Sequence, residues 1–226
     1  MSFIDFLKTE AFKNLDATNH QPDLQGWMDP NLTTLVQTAL EPVPKDIPLV
    51  IIEVGTWKGK SAIMMGNICR DQGFKNASIV TVDTWLGAPE FWTHGLNGIE
   101  RDLFRVNGYP SVFYTFTKNV KQQGLESIIA PFPISSIQGA HVLTYYQVKA
   151  DLIYVDAAHE YDAVLADLRA YLPLLKHTGV LCGDDYSNAW PGVMKAVNQF
   201  AQETNMILTV TRVVWSLKQS PKAHIL

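Results

Sequence analysis

Residues 49–61 read Leu49-Val50-Ile51-Ile52-Glu53-Val54-Gly55-Thr56-Trp57-Lys58-Gly59-Lys60-Ser61. The opening run is apolar and β-branched without alternation, the pattern of a strand covered on both faces in a parallel sheet. It stops at Gly55, and Ser61 through Cys69 predicts a helix. Glycines at a strand-to-helix turn let the backbone approach a ligand closely. The free N–H groups that open the next helix suit a carboxylate or a phosphate.

The same alternation continues downstream. Ser78–Asp83 predicts a second strand, followed by a long loop over 84–98 that carries Trp85, Phe91 and Trp92. Residues 99–123 read as helix interrupted near Gly108-Tyr109-Pro110, and Ser127–Pro131 as a third strand. Ala150–Asp156 is a fourth strand. Tyr161–Leu175 repeats apolar residues at helical spacing, with Val164, Leu165, Leu168, Leu172 and Leu175 on one face. A fifth strand at Gly179–Asp184, a helix at Val193–Glu203 and two strands at 207–210 and 212–215 close the chain. Strands alternating with helices predict a doubly wound, Rossmann-like α/β sheet of seven strands, mostly parallel with the last antiparallel. Residues 1–47, broken by Pro22, Pro30, Pro42 and Pro44, read as a short N-terminal helical and loop cap on a domain spanning 48–226.

Composition narrows the function classes. A chain of 226 residues that is 47% hydrophobic and 18% charged is globular and long enough to bury its own core. The net charge of −4 gives no basic field, which argues against nucleic acid as partner. All of that charge lies in residues 1–48, where three lysines face seven acidic residues. Cys69 and Cys182 form neither a disulfide framework nor a zinc pattern and read as buried thiols. No apolar run approaches the ~18 residues of a membrane span. The first residues lack a basic signal-like segment, so a cytoplasmic protein is expected. An exposed terminal strand would admit a homodimer.

Glu53, Asp83 and Asp156 end three predicted parallel strands, and Asp184-Asp185 follows the fifth. One strand-end carboxylate can be a solvated charge. Four at the same edge of an α/β sheet point to a ligand site, because buried charge is costly and ligands bind outside those ends. Gly55–Ser61 ends Gly-Lys-Ser like a phosphate loop, but three residues separate its glycines where that loop needs four. A nucleotide-binding protein using Lys60 and Ser61 is therefore the weaker alternative.

Glu53-Val-Gly-Thr-Trp-Lys-Gly-Lys-Ser61 resembles the first motif of class I S-adenosylmethionine (SAM)-dependent methyltransferases, and Val82-Asp83-Thr84-Trp85 resembles the second. Leu152-Ile-Tyr-Val-Asp156-Ala-Ala-His159-Glu-Tyr161 and Gly179-Val-Leu-Cys-Gly-Asp184-Asp185-Tyr186 resemble later motifs of the metal-dependent catechol-type and macrolide-sugar O-methyltransferases. The resemblance covers residues 48–217 and implies O-methylation of a hydroxylated small molecule, a sugar or another natural product. It implies that Gly55, Thr56, Trp57, Gly59 and Ser61 wrap the methionine part of SAM and that Glu53 orders the turn. Asp83, with Thr84 and Trp85, would take the ribose side, and Ser135 and Ser136 the adenine, unless they serve only as a helix cap.

The resemblance also implies a divalent cation, Mg²⁺ or else Ca²⁺ or Mn²⁺, on Asp156, Asp184 and Asp185, a hard oxygen set. Against it stands a metal-independent enzyme or SAM-binding protein, in which Asp184-Asp185 only caps its turn and Asp156 only faces SAM. His159 stands where catechol-type enzymes carry a lysine base, and the resemblance implies that it takes the acceptor's proton. The other reading is that it merely starts the next helix. His94 is a second, lesser candidate, and His20, His141, His177 and His224 read as structural or surface. Trp85, Phe91 and Trp92 either wall the substrate site or pack on the N-terminal segment. Trp27-Met28 would close the site as a lid, and Trp190-Pro191-Gly192 would wall the cation or punctuate a helix.

Overall fold

The computed structural model describes residues 1–13, 20–93 and 103–219. Its centre is a seven-stranded sheet: β1 (Leu49–Val54), β2 (Ala77–Asp83), β3 (Ile129–Pro133), β4 (Ala150–Val155), β5 (Leu175–Gly183), β6 (Ile207–Thr211) and β7 (Val214–Lys218). The order is β3-β2-β1-β4-β5-β7-β6. β7 pairs antiparallel with both β5 and β6, and the strands from β3 to β5 are mutually parallel. This is the expected doubly wound sheet. Strand three lies two residues later than its apolar run suggests, and the last hairpin turns at Arg212, whose φ is +57°. His94 and His224 lie outside the described residues.

Helices cover both faces. One face carries α1 (Phe3–Ala11), α6 (Ser136–Tyr145), α7 (Tyr161–Tyr171) and α8 (Pro191–Thr204). The other carries α2 (Pro30–Leu40), α3 (Lys60–Asp71) and α5 (Val112–Gln122). The short α4 (Glu90–Thr93) lies in the loop after β2. Along β1, Leu49 and Ile51 point to the α3 face, while Ile52 and Val54 point to the α7 face. Two-sided burial is why the strand is apolar without alternation. The N-terminal helices enter both layers: Leu7 joins one core, and Leu32, Val36 and Leu40 are fully buried in the other. Among the described residues no helix is long and apolar enough to cross a membrane.

The sheet's winding reverses between β1 and β4, which opens a crevice beyond their carboxyl ends. The ends of neighbouring strands are tied together there. The Asp156 N–H donates to the Val54 carbonyl at 2.8 Å, and the Gly55 N–H donates to Val82 at 2.9 Å. Gly55 has φ +82°, and a Cβ built on it would fall 2.1 Å from the Asp156 carbonyl oxygen. Gly59, at φ +89°, starts α3 as its left-handed N-cap.

Period-2 geometry turns Glu53 toward α3, where it is fully buried and accepts a hydrogen bond from the Ser61 hydroxyl. Burial pushes the Glu53 carboxyl up to about 8, with the charges of Asp156 and Asp83 adding to the rise and Ser61 opposing it.

Two stability effects are expected. Gly55→Ala combines a left-handed φ with a backbone clash and should cost about 3 kcal/mol in urea unfolding. Glu53 binds a proton in the fold that the unfolded chain releases above its ordinary 4.5. Its contribution is therefore fully present below pH 4.5 and is lost as pH rises toward 8, by at most about 1.4 kcal/mol per pH unit. Thermal unfolding should show Glu53→Gln gaining on the parent protein between pH 5 and pH 8. A difference that stays constant over that range would mean the carboxyl is ionised in the fold.

Candidate active site

A cavity of about 740 Å³ fills the crevice. Its first wall is the glycine turn, with Gly55, Thr56, Trp57 and Ser61 on the surface. Asp83 holds that wall in place. One carboxylate oxygen accepts the N–H groups of Thr56 and Trp57, both at 2.9 Å, and the other accepts the Trp85 N–H at 2.7 Å. Trp57 and Trp85 each sit at φ +52°, a left-handed conformation unusual for a bulky residue. The Trp85 indole N–H closes the unit by donating to the Trp57 carbonyl at 2.8 Å.

The expected aromatics divide. Trp57 and Phe91 line the cavity with ring centroids 4.7 Å apart. Trp85 is buried against Phe113 and Phe116 of α5 and does not line the cavity. Trp92 is half-exposed, with its ring against Arg105. Thr84 also lines the cavity, as do Ser135 and Ser136 at the start of α6.

The opposite end is acidic. Asp156, His159 and Asp185 bring ligand atoms within 4.8 Å of one another. His159 Nε2 is 2.8 Å from the Asp185 carboxylate, and its ring stacks on Trp190 at 3.9 Å and 18°. Burial pushes Asp156 up to about 7, helped by the charges of Asp185 and Asp184, while the Tyr154 hydroxyl donates to it at 2.9 Å and opposes the rise. Burial alone would lower His159, but its hydrogen bond to Asp185 and the surrounding carboxylates outweigh that and raise it.

Asp184 is not in this cluster. Its carboxylate accepts the N–H of Asp185 at 2.8 Å and that of Asp29 at 3.4 Å. The first of these bonds helps hold Asp185 at φ +65°. Of the three acids expected to act together, the structure thus joins Asp156 and Asp185, adds His159, and turns Asp184 to the backbone behind them.

Residues 20–29 form a wall that the sequence pattern does not encode beyond Trp27. Gln25, Gly26 and Trp27 line the cavity. The Lys58 ammonium, fully buried, pairs with Asp23 at 2.6 Å. Asn119 donates to the carbonyls of Asp23 and Lys58, each at 2.8 Å. Lys60 donates to the Gly26 carbonyl at 2.7 Å. Lys60 and Ser61, the pair that a phosphate cradle would use, are thus committed to Gly26 and Glu53. Asp167 of α7 also lines the cavity and is 4% exposed. An acid among Val164, Leu165 and Leu168 is the signal that sequence reading passed over.

Comparison with solved structures gives the same fold at low identity. The calicheamicin methyltransferase CalS11 aligns with TM-score 0.57 and 16% identity over 96% of this chain and 92% of that one. The Bacillus cereus O-methyltransferase in complex with SAH aligns with TM-score 0.55 and 15% identity over 95% and 91%. The O-methyltransferase NovP aligns with TM-score 0.58 and 20% identity over 84% and 78%. No curated protein matches in sequence. The family model described as a methyltransferase domain matches residues 52–186, more than half of the 226 residues. That stretch runs from β1 through the glycine turn, Asp83 and Asp156 to the Asp184-Asp185 pair, and the chain belongs to the methyltransferase domain family, as a class I SAM-dependent methyltransferase.

Proposed function

We propose that this methyltransferase moves a methyl group from SAM to a hydroxyl oxygen of a small molecule, a sugar or another natural product, with a divalent cation at Asp156 and Asp185. The observation that carries this reading is the convergence of Asp156, His159 and Asp185 on the cavity that the glycine turn walls. CalS11 is described as a TDP-rhamnose 3'-O-methyltransferase, which supports the acceptor class.

SAM, when bound, supplies a methyl group activated by its sulfonium. Gly55, Thr56, Trp57 and Ser61 would hold its methionine part, with Glu53 bracing the turn through Ser61, while Gly59, expected in the same set, does not line the cavity and instead starts α3 against the Phe116 ring. Asp83 already accepts three N–H groups. A carboxylate has about four acceptor positions, so one remains for a ribose hydroxyl.

The donor set fits a hard cation: the carboxylates of Asp156 and Asp185 converge beside His159, and burial, with the charges of Asp185 and Asp184 adding to it, raises Asp156. Mg²⁺, Ca²⁺ or Mn²⁺, when bound, lowers the pKa of a coordinated hydroxyl at neutral pH. Asp184 keeps Asp185 aimed through the Asp185 N–H. His159 takes the acceptor's proton. Asp185 accepts from Nε2–H in the neutral tautomer, which leaves Nδ1 with the basic lone pair. A second reading has support in the same geometry, with His159 as a third cation ligand.

Two measurements test these roles. Methylation of a hydroxylated acceptor should fall at least tenfold in EDTA and return with Mg²⁺. Undiminished turnover would assign the metal-independent alternative. His159→Ala should lower kcat about 100-fold or more while Mg²⁺ and SAH affinities stay unchanged by calorimetry. Loss of Mg²⁺ affinity in the same variant would make His159 a ligand instead.

A further inference from the structure

Asp156 has a partner on the side away from the cavity. It continues the β4 ladder, because its N–H donates to the Val54 carbonyl at 2.8 Å. Residues two apart along a strand share a face and stand about 7 Å from each other. Tyr154 therefore lies behind Asp156 on the same face of the sheet. Its ring is fully buried in the α3-side core, with Glu53 of β1 and Cys182 of β5 as its register partners. The phenol spans the distance along the strand, and its hydroxyl donates to Asp156 Oδ2 at 2.9 Å. Asp156 lines the cavity, and Tyr154 does not.

Two bonds thus fix this acid: one to its backbone from β1, the other to one carboxylate oxygen from Tyr154. Among the described residues no other side chain donates to Asp156, so Oδ1 keeps its lone pairs. Asp185 is supported in a parallel way, with His159 on its carboxylate and Asp184 on its N–H. The kind of donor behind Asp156 matters. A lysine or arginine there would orient the carboxylate but also cancel its charge. A phenol hydroxyl is a neutral donor, which orients Asp156 and leaves its full charge for a cation. A phenylalanine of the same shape would leave Oδ2 against buried carbon, where an unpaired carboxylate oxygen is costly. The carboxylate would then turn to find another donor and leave its place beside His159 and Asp185.

We propose that Tyr154 is a positioning residue for the divalent cation: its hydroxyl holds Oδ2 of Asp156 and turns Oδ1 toward Asp185, so that affinity for the ion depends on a side chain that does not reach it. The proposal rests on the cation reading above. Groups that hydrogen-bond a metal ligand from behind fix its orientation, and their loss weakens metal binding by about 10- to 100-fold.

The test is binding of Mg²⁺ and Mn²⁺ to the full chain in the presence of S-adenosylhomocysteine, by calorimetry and, for Mn²⁺, by loss of the free-ion electron paramagnetic resonance signal. Tyr154→Phe deletes one oxygen and keeps the ring that packs in the core. Both ions should bind the variant about tenfold more weakly or worse. S-adenosylhomocysteine, titrated without the ion, should bind parent and variant equally. Unchanged ion affinity in the variant would overturn the proposal and leave the cation reading standing. Equal losses of ion and S-adenosylhomocysteine affinity, or loss of the fold by circular dichroism, would overturn it too, because the hydroxyl would then brace the strand end as a whole. A parent protein that binds neither ion would sink the cation reading, and the proposal with it.

Discussion

Three backbone N–H groups converge on the carboxylate of Asp83, and the rest of the site is built on that convergence. Thr56 and Trp57 come from the turn after β1, and Trp85 from the turn after β2. Two of the three are tryptophans in the left-handed region, where a bulky side chain is strained by about 1–3 kcal/mol. Charge-assisted hydrogen bonds are strong enough to offset such strain. The effect is to fuse two adjacent strand ends into one rigid ledge. Gly55 lets that ledge lie against β4, and Glu53 fixes it to the first turn of α3 through Ser61.

Electrostatics divides the cavity into unlike ends. Asp156, Asp184 and Asp185 are gathered at one end, and burial with mutual repulsion raises the first two. The lysines of the glycine turn do not neutralise them, because Lys58 and Lys60 are drawn to Asp23 and Gly26 of the N-terminal segment. The acid-rich first 48 residues thus have a structural use: Asp23 balances a buried cation, and Asp29 caps α2 while its N–H meets Asp184. The other end is nearly apolar, with a single buried carboxylate among alanine and isoleucine side chains.

The fold was legible because two-sided burial writes itself into composition. The runs at Leu49–Val54 and Ala150–Val155 carry apolar residues on both faces, with Glu53 and Asp151 as the exceptions, and helices alternate with the strands along the chain. The glycine turn and the strand-end acids were legible for a similar reason, since each sits at a fixed offset from its strand. Offsets do not give orientation. Asp184 and Asp185 are adjacent in sequence, yet the left-handed φ of Asp185 sends the two carboxylates to different partners. Trp85 follows Asp83 where a cofactor residue was expected, but its left-handed backbone turns the indole into the α5 core. Asp167 was hidden for the opposite reason: an acid on a helix reads as solvent-facing unless the neighbouring helix is known.

The hydrogen bonds that complete the cavity join distant parts of the chain. Asp23 meets Asn119 across 96 positions, and Asp29 meets Asp184 across 155. Loop-closure entropy disfavours such contacts until the intervening chain is already ordered. During synthesis, the wall made by residues 20–29 therefore waits for segments that leave the ribosome much later. Lys58, Lys60 and Asn119 can take up this wall before β4 emerges, but the Asp29–Asp184 bond has to wait for β5. That one bond ties the mouth of the pocket to the end of β5, so a cavity closed on this side requires the sheet to be built at least that far.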